Sequence, residues 1–204
     1  MSKKTAVPSF KAWPASVQYL NSPAFAANFD KDARNSLVSA IRDCTDNVVT
    51  PEQVQRSLQY VTVKNIQDQA HPAVGQHGLF AARHLPPDSF IIQYLGQYHS
   101  RADDDLTSDY DLCLDRDLGI AVDASQAGNE ARFINDYRGV SNTGPNAEFR
   151  DTWIDLGNGT AEKRIGVFVL SEGKAKKRSK GIGIHEEILV SYGKGFWNNR
   201  ACAE

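Results

Sequence analysis

The chain has 204 residues, 41% hydrophobic and 24% charged, which is enough apolar material for one domain-sized core and too much for a disordered chain. A formal net charge of -2 and a pI near 6.2 exclude a global electrostatic drive toward nucleic acid or anionic membranes. Cys44, Cys113 and Cys202 stand far apart without metal-ligand spacing, which excludes a disulfide framework and a zinc site.

Further expectations follow from these. No direct nucleic-acid binding, no membrane and no metal are expected, and a reducing intracellular location, nuclear or cytoplasmic, fits the cysteine usage. The basic run Lys174 to Lys180 makes a local patch. Oligomeric state is not written in the composition.

In chain order, the first 59 residues read as an N-terminal helical region. One stretch runs from Trp13 to Phe29, a second from about Asp30 to Cys44, and a third opens at Thr50. In the third, Thr50 serves as N-cap, Pro51 suits the first helical position, Glu52 suits the dipole, and Gln53 completes a capping box. Its core face takes in Val54, Leu58 and Val61.

From residue 60 the pattern changes to short runs rich in Val, Ile, Phe and Tyr between Gly, Pro, Asn and Asp, which is the signature of many short strands. The expected strands are Val61 to Ile66, Gly78 to Ala82, Phe90 to Tyr98, Tyr110 to Leu114, Gly119 to Asp123, Ala147 to Ile154, Arg164 to Leu170 and Ile188 to Tyr192. The fold class expected is mostly β with helices. The domain reading is 1–59 helical region, 60–197 main domain and 198–204 tail.

Several segments carry chemistry jointly. Gly75-Gln-His-Gly-Leu-Phe-Ala81 has glycines that let a backbone turn tightly or approach a ligand. Gln93-Tyr-Leu-Gly96 sets a tyrosine on a strand before a glycine. Gly128-Asn-Glu-Ala-Arg-Phe-Ile-Asn135 is followed by Pro145-Asn146, and His185-Glu-Glu-Ile-Leu-Val-Ser-Tyr-Gly193 joins a polar turn to an apolar strand and a tyrosine. Singly, each is also a hairpin turn, a sheet tyrosine, a loop-stitching asparagine or a core strand.

In this order, His77-Gly-Leu-Phe-Ala81, Tyr94-Leu-Gly96, Arg132-Phe-Ile-Asn135, Pro145-Asn146 and Glu186-Glu-Ile-Leu-Val-Ser-Tyr-Gly193 resemble the motif series of SET-domain protein-lysine methyltransferases over roughly residues 60 to 197. The resemblance implies several small sheets with a threaded pseudoknot, an exception to unthreaded connections. It implies S-adenosylmethionine as cofactor, leaving as S-adenosylhomocysteine, and a protein substrate presenting a lysine, for example a histone tail.

The cofactor residues so implied are Gln76, His77, Gly78, Leu79, Arg132, Phe133, Asn135, Asp136 and Tyr192. Phe196 and Trp197 join them as aromatic cover or else pack the tail. Tyr94 and Tyr192 are the implied catalytic pair, and with Phe149 they line the lysine channel. Phe149 stands where some relatives carry a tyrosine that limits repeated methylation.

The chain departs from the family series in several places. Asp136 stands where histidine usually follows the asparagine, the loop Tyr137 to Gly144 is longer than the usual link to Pro-Asn, the basic run Lys174 to Lys180 interrupts the link between the Val167 to Leu170 strand and the Glu-Glu turn, and the cysteine cluster that often follows the last tyrosine is absent. A second reading is therefore a catalytically silent interaction module of the same fold, with or without the cofactor bound. A third is an unrelated all-β binding domain.

Overall fold

Prolines decide how the chain begins. The structure, a computed structural model, describes residues 13–44, 48–105, 107–173 and 180–193. Where a helix is expected from Trp13 to Phe29, the chain forms two short strands, β1 (Gln18–Tyr19) and β2 (Ala24–Phe25). Pro14 and Pro23 remove backbone donors and disfavour helical geometry at the residues before them, and both strands find partners far along the chain.

The expected helix from Asp30 is shortened to α1 (Lys31–Ser36), capped by the Asp30 carboxylate, which accepts from Ala33 N at 2.8 Å. Leu37, fully buried, ends it, and the chain continues as β3 (Val38–Ala40) and then β4 (Val48–Val49). The helix α2 (Pro51–Ser57) carries the expected capping box, with Thr50 N donating to Gln53 Oε1 at 2.8 Å and Gln53 N to Thr50 Oγ1 at 3.3 Å. Val54 packs on Val49, Ile154 and Phe168. Leu58, expected in the core, is 45% exposed because the helix stops before it, and Val61 is buried from a strand instead.

Then come β5 (Val61–Asn65), β6 (His77–Ala81), β7 (Phe90–Gln93), β8 (Gln97–Ser100), β9 (Asp111–Asp115), β10 (Ile120–Asp123), β11 (Ala127–Gly128), β12 (Asn135–Asp136), β13 (Ala147–Asp155), β14 (Thr160–Val169) and β15 (Leu189–Val190). The fold is mostly β with few helices, an α+β arrangement of several small sheets. β5 pairs with β6, β2-β8-β10-β9 form a second sheet, and β3-β14-β13-β4, with β7 added along β14, form the largest. Two parallel pairs, β1–β11 and β12–β15, complete the set.

Among the described residues, every strand before residue 50 thus pairs with a strand beyond residue 96, so Gln18 to Val49 is woven into the sheets. The core between the sheets includes Leu79, Ile91, Ile92, Tyr98, Val122, Val167 and Ile188, each essentially inaccessible to solvent.

The single strand expected over Phe90 to Tyr98 breaks at Tyr94-Leu95-Gly96. A Cβ on Gly96 would lie 2.5 Å from the Asp123 carbonyl oxygen, so only a bare backbone passes there, and the break leaves Tyr94 between sheets. β12 and β15 matter equally for the site. Asn135 lies opposite Leu189, Asp136 opposite Val190, and Tyr137 N donates to Val190 O at 3.0 Å. The arginine-to-asparagine segment is thereby fixed beside the chain that leads into Tyr192.

At the end of β8, buried His99 is ringed by acceptors. Its Nδ1 lies 3.0 Å from Ser100 O and 3.7 Å from the Asp104 carboxylate, and its Nε2 lies 3.2 Å from Asp111 Oδ1. Burial lowers the histidine pKa, but the Ser100 carbonyl and the Asp111 and Asp104 carboxylates outweigh it, and the net shift is upward from 6.5. A raised folded-state value means that the contribution to stability is present in full below about pH 6.5 and is lost as pH rises through the folded value. Thermal melts across this range should show wild-type stability falling with rising pH, and His99→Gln should flatten that limb. A His99→Gln profile parallel to wild type would contradict the assignment.

Candidate functional site

Two cavities meet at one wall. The larger, of about 460 Å³, is lined by Pro14, His71, Gln76, His77, Phe133, Asn135, Asp136 and Arg138 among others. The smaller, of about 270 Å³, is lined by Tyr94, Asp111, Leu112, Ala131, Ile134, Phe149 and Ser191. Asp109, Tyr110, Arg132 and Tyr192 border both.

Arg132 builds that wall. Its Nε donates to Ala124 O at 3.0 Å and its Nη2 to Ser125 O at 3.4 Å, while the guanidinium lies 4.4 Å from the Tyr110 ring centroid and 5.2 Å from that of Phe133. Its hydrogen bonds to Ala124 and Ser125 run to backbone carbonyls and its faces lie against rings, so it works as a strut between the two cavities.

The larger cavity is held from beneath by Glu187. Its Oε1 accepts from Asn135 Nδ2 at 2.8 Å, and its Oε2 lies 3.1 Å from His71 Nε2. Asn135 Nδ2 also donates to His77 O at 3.3 Å, so the amide nitrogen is spent on the scaffold and the carbonyl oxygen is the group Asn135 can offer a ligand. A Cβ on Gly78 would meet Glu187 Oε1 at 2.5 Å, which explains the glycine in the His77-Gly-Leu series. Asn146 acts as a backbone mimic: its Nδ2 donates to Glu187 O at 2.8 Å and its Oδ1 accepts from Leu189 N at 2.8 Å, tying the start of β13 to β15.

Tyr192 is anchored at both ends. Its hydroxyl donates to Ile134 O at 2.6 Å, and its backbone N–H donates to Asp136 Oδ2 at 2.7 Å. Across the smaller cavity, Tyr94 OH donates to Tyr110 O at 2.6 Å, with the Phe149 ring edge-on to its own at 5.6 Å between centroids. Burial, reinforced by the nearby Asp123 carboxylate, pushes the Tyr94 hydroxyl well above its ordinary pKa, so it stays a neutral phenol.

Of the residues singled out in the sequence, the cavities bring together Gln76, His77, Arg132, Phe133, Asn135, Asp136, Tyr94, Phe149 and Tyr192. Gly78 and Leu79 are buried in β6 behind the lining. Phe196, Trp197, Cys202 and residues 174 to 179 of the basic run lie outside the described residues. Tyr110, His71, Arg138 and Pro14 were not anticipated. They belong to loops without a motif, and the signal that finds them is the cavity itself. Glu186 closes the turn by accepting from Gly183 N at 2.7 Å.

No protein-family model matches the chain, and no curated protein does. Among solved structures it is similar to the polycomb repressive complex 2 of Chaetomium thermophilum, at 26% identity over 68% of this chain and 16% of that one, TM-score 0.47. It is also similar to the same complex in an autoinhibited conformation bound to S-adenosylmethionine, at 23% identity over 71% and 17%, TM-score 0.48. A humanized mutant of that complex bound to the inhibitor GSK343 shows 22% identity over 74% and 18%, TM-score 0.49. The chain therefore spans less than a fifth of the length of each of these chains.

Proposed function

We propose that this protein is a methyltransferase that uses S-adenosylmethionine to methylate a lysine side chain of a protein, a histone tail being one substrate of the right chemistry. The observation that carries the reading is the wall shared by the two cavities. Residues of the implied cofactor set stand on one side, residues of the implied lysine channel stand on the other, and Tyr192 borders both. An in-line transfer needs two reactants to meet end to end from separate entrances, and orientation is the main catalytic task.

The residues of the larger cavity fit the cofactor. A volume of about 460 Å³ suits a ligand of that size, the rings of Phe133 and His77 suit adenine, and the Asn135 carbonyl oxygen suits an ammonium group. S-adenosylmethionine supplies an electrophilic methyl on a sulfonium and leaves as S-adenosylhomocysteine. The Tyr192 and Tyr94 hydroxyls each donate a hydrogen bond to a backbone carbonyl, so their oxygens are left to accept from an amine N–H and to turn its lone pair toward the methyl.

A lysine of reference pKa near 10.4 requires about 4 kcal/mol to be presented neutral at pH 7.4. Leu112, Ile134 and Phe149 line the channel and disfavour the ammonium by desolvation. Asp109 and Asp111 oppose this by attracting the cation, although Asp111 is already paired to His99. On this reading no dedicated carboxylate base is required, and Tyr192 orients the amine.

The deciding experiment is titration calorimetry with S-adenosylmethionine, followed by a radiolabelled methyl-transfer assay on histones and cell extract. Binding with labelling of protein lysine supports the enzyme. Binding without labelling of anything replaces it with the silent module. Absence of binding removes the enzyme and leaves a silent module without the cofactor.

Phe149 bears on the number of methyl groups added. A hydroxyl added by Phe149→Tyr would enter a cavity of about 270 Å³ beside Tyr94. The space and the hydrogen bond it takes should restrict the product to monomethyl-lysine, while wild type proceeds further. Mass spectrometry after exhaustive turnover reads this directly, and a wild-type product that stops at monomethyl-lysine would refute it.

A further inference from the structure

We infer that the arm from Trp13 to Leu20 is part of the cofactor site, with Trp13 and Tyr19 as positioning residues that set the Phe133 face of the larger cavity. This rests on the cofactor reading proposed above.

The arm grips one short helical turn at both of its ends. That turn, Glu130–Phe133, carries Arg132 and Phe133 into the cavity wall. At its last residue, the Trp13 ring meets Phe133 edge-on, with centroids 5.6 Å apart. At its first residue, Tyr19 OH donates to the Glu130 carboxylate at 3.0 and 3.2 Å. The two grips are coupled, because Trp13 and Tyr19 are themselves edge-on at 5.0 Å.

Glu130 gives the clasp its strength. It is 4% exposed, and burial raises its pKa against the opposing pull of its own backbone N–H and then of the Tyr19 hydroxyl, so Tyr19 is one of two donors that support a carboxylate there. The same burial, with the adjoining Glu130 charge, pushes the Tyr19 hydroxyl upward, which keeps it a donor.

The arm itself is held rigidly. Gln18 and Tyr19 run parallel to Ala127 and Gly128, Gln18 N donates to Gln126 O and Leu20 N to Gly128 O, both at 2.8 Å, and Leu20 packs on Leu95 and Ala127. Trp13 Nε1 donates to Val17 O at 2.6 Å and Val17 N to Pro14 O at 3.0 Å. The tight turn these bonds close brings Pro14 into the cavity lining. From the other side, Asn129, the residue before the turn, is pinned by Leu95 N at 3.2 Å and Gln93 O at 2.9 Å. Neighbours on both sides therefore fix the aromatic face that an adenosyl group would meet, and the arm supplies one of them.

The test uses the full chain and S-adenosylhomocysteine as calorimetric probe, with Trp13→Leu, Trp13→Phe and Tyr19→Phe compared to wild type. Trp13→Leu and Tyr19→Phe should each weaken binding about five- to ten-fold and raise the KM for S-adenosylmethionine in parallel, with kcat at saturating cofactor changed less than about two-fold. Trp13→Phe, which restores an aromatic edge, should recover binding to within about three-fold of wild type.

A folded Trp13→Leu protein whose affinity and cofactor KM equal those of wild type would overturn the inference, and melting curves establish that it is folded. A Trp13→Leu variant that loses kcat at unchanged cofactor KM would overturn it as well. A wild-type protein that fails to bind the probe would overturn the cofactor reading itself, and the inference with it.

Discussion

Under the proposed methyltransferase function, Tyr192→Phe is expected to lower methyl transfer about 10²- to 10³-fold while leaving the dissociation constant for S-adenosylhomocysteine within about three-fold of wild type. The ring that borders both cavities stays, and so does the backbone N–H bound to Asp136. What disappears is the hydroxyl, whose 2.6 Å bond to Ile134 O fixes the position of its oxygen lone pairs in the channel. Losing one neutral hydrogen bond costs about 1 kcal/mol of stability, too little to unfold the domain, so lost transfer in a folded, cofactor-binding variant isolates the chemical step. Labelling at the wild-type rate would remove Tyr192 from the mechanism.

The place of Tyr192 beside the segments around Tyr94 and Asn135 was readable in the sequence because the apolar run before it and the glycine after it make a local pattern, and because the order of those segments resembles a known motif series. The long strands were legible in part: β13 matches the expected Ala147 to Ile154 to within one residue, whereas β14 begins at Thr160, four residues before the expected Arg164, because Thr160-Ala-Glu-Lys163 offers no apolar run and is held by pairing with β13 and β3. The N-terminal segment was not. A two-residue strand such as β1 has no period, and it forms because Gln18 and Tyr19 meet Ala127 and Gly128, which no local signal announces.

The scaffold of the site is hidden in the same way. His71 and Glu187 are separated by 116 residues and look like a loop histidine and a turn acid until the fold sets them 3.1 Å apart. Glycines were legible as freedom but not as purpose. Gly78 and Gly96 are needed for what passes beside them, a carboxylate in one case and a carbonyl in the other.

Asp136 stands where the motif series that the sequence resembles usually has histidine, and placing histidine there is expected to do harm. Asp136 is 7% exposed, and its carboxylate accepts from Tyr192 N at 2.7 Å, from Arg138 N at 2.8 Å and from Arg138 Nη1 at 3.0 and 2.8 Å. An imidazole has one acceptor at most and cannot serve two backbone donors and a guanidinium.

Asp136→His should therefore cost about 2–3 kcal/mol, because the part-buried Tyr192 and Arg138 donors lose this acceptor and a ring is set against Arg138. For a chain of this size that lowers Tm by about 5–10 °C. Cofactor affinity should fall with it, since the N–H that holds Tyr192 at the shared wall loses its partner. A double-mutant cycle with Arg138→Leu separates the two possibilities. If the clasp is the reason for the aspartate, the cost of removing Arg138 shrinks once Asp136 is gone. An Asp136→His protein that binds S-adenosylhomocysteine more tightly at an unchanged Tm would instead make the side chain at this position a direct ligand contact, with Arg138 incidental to it.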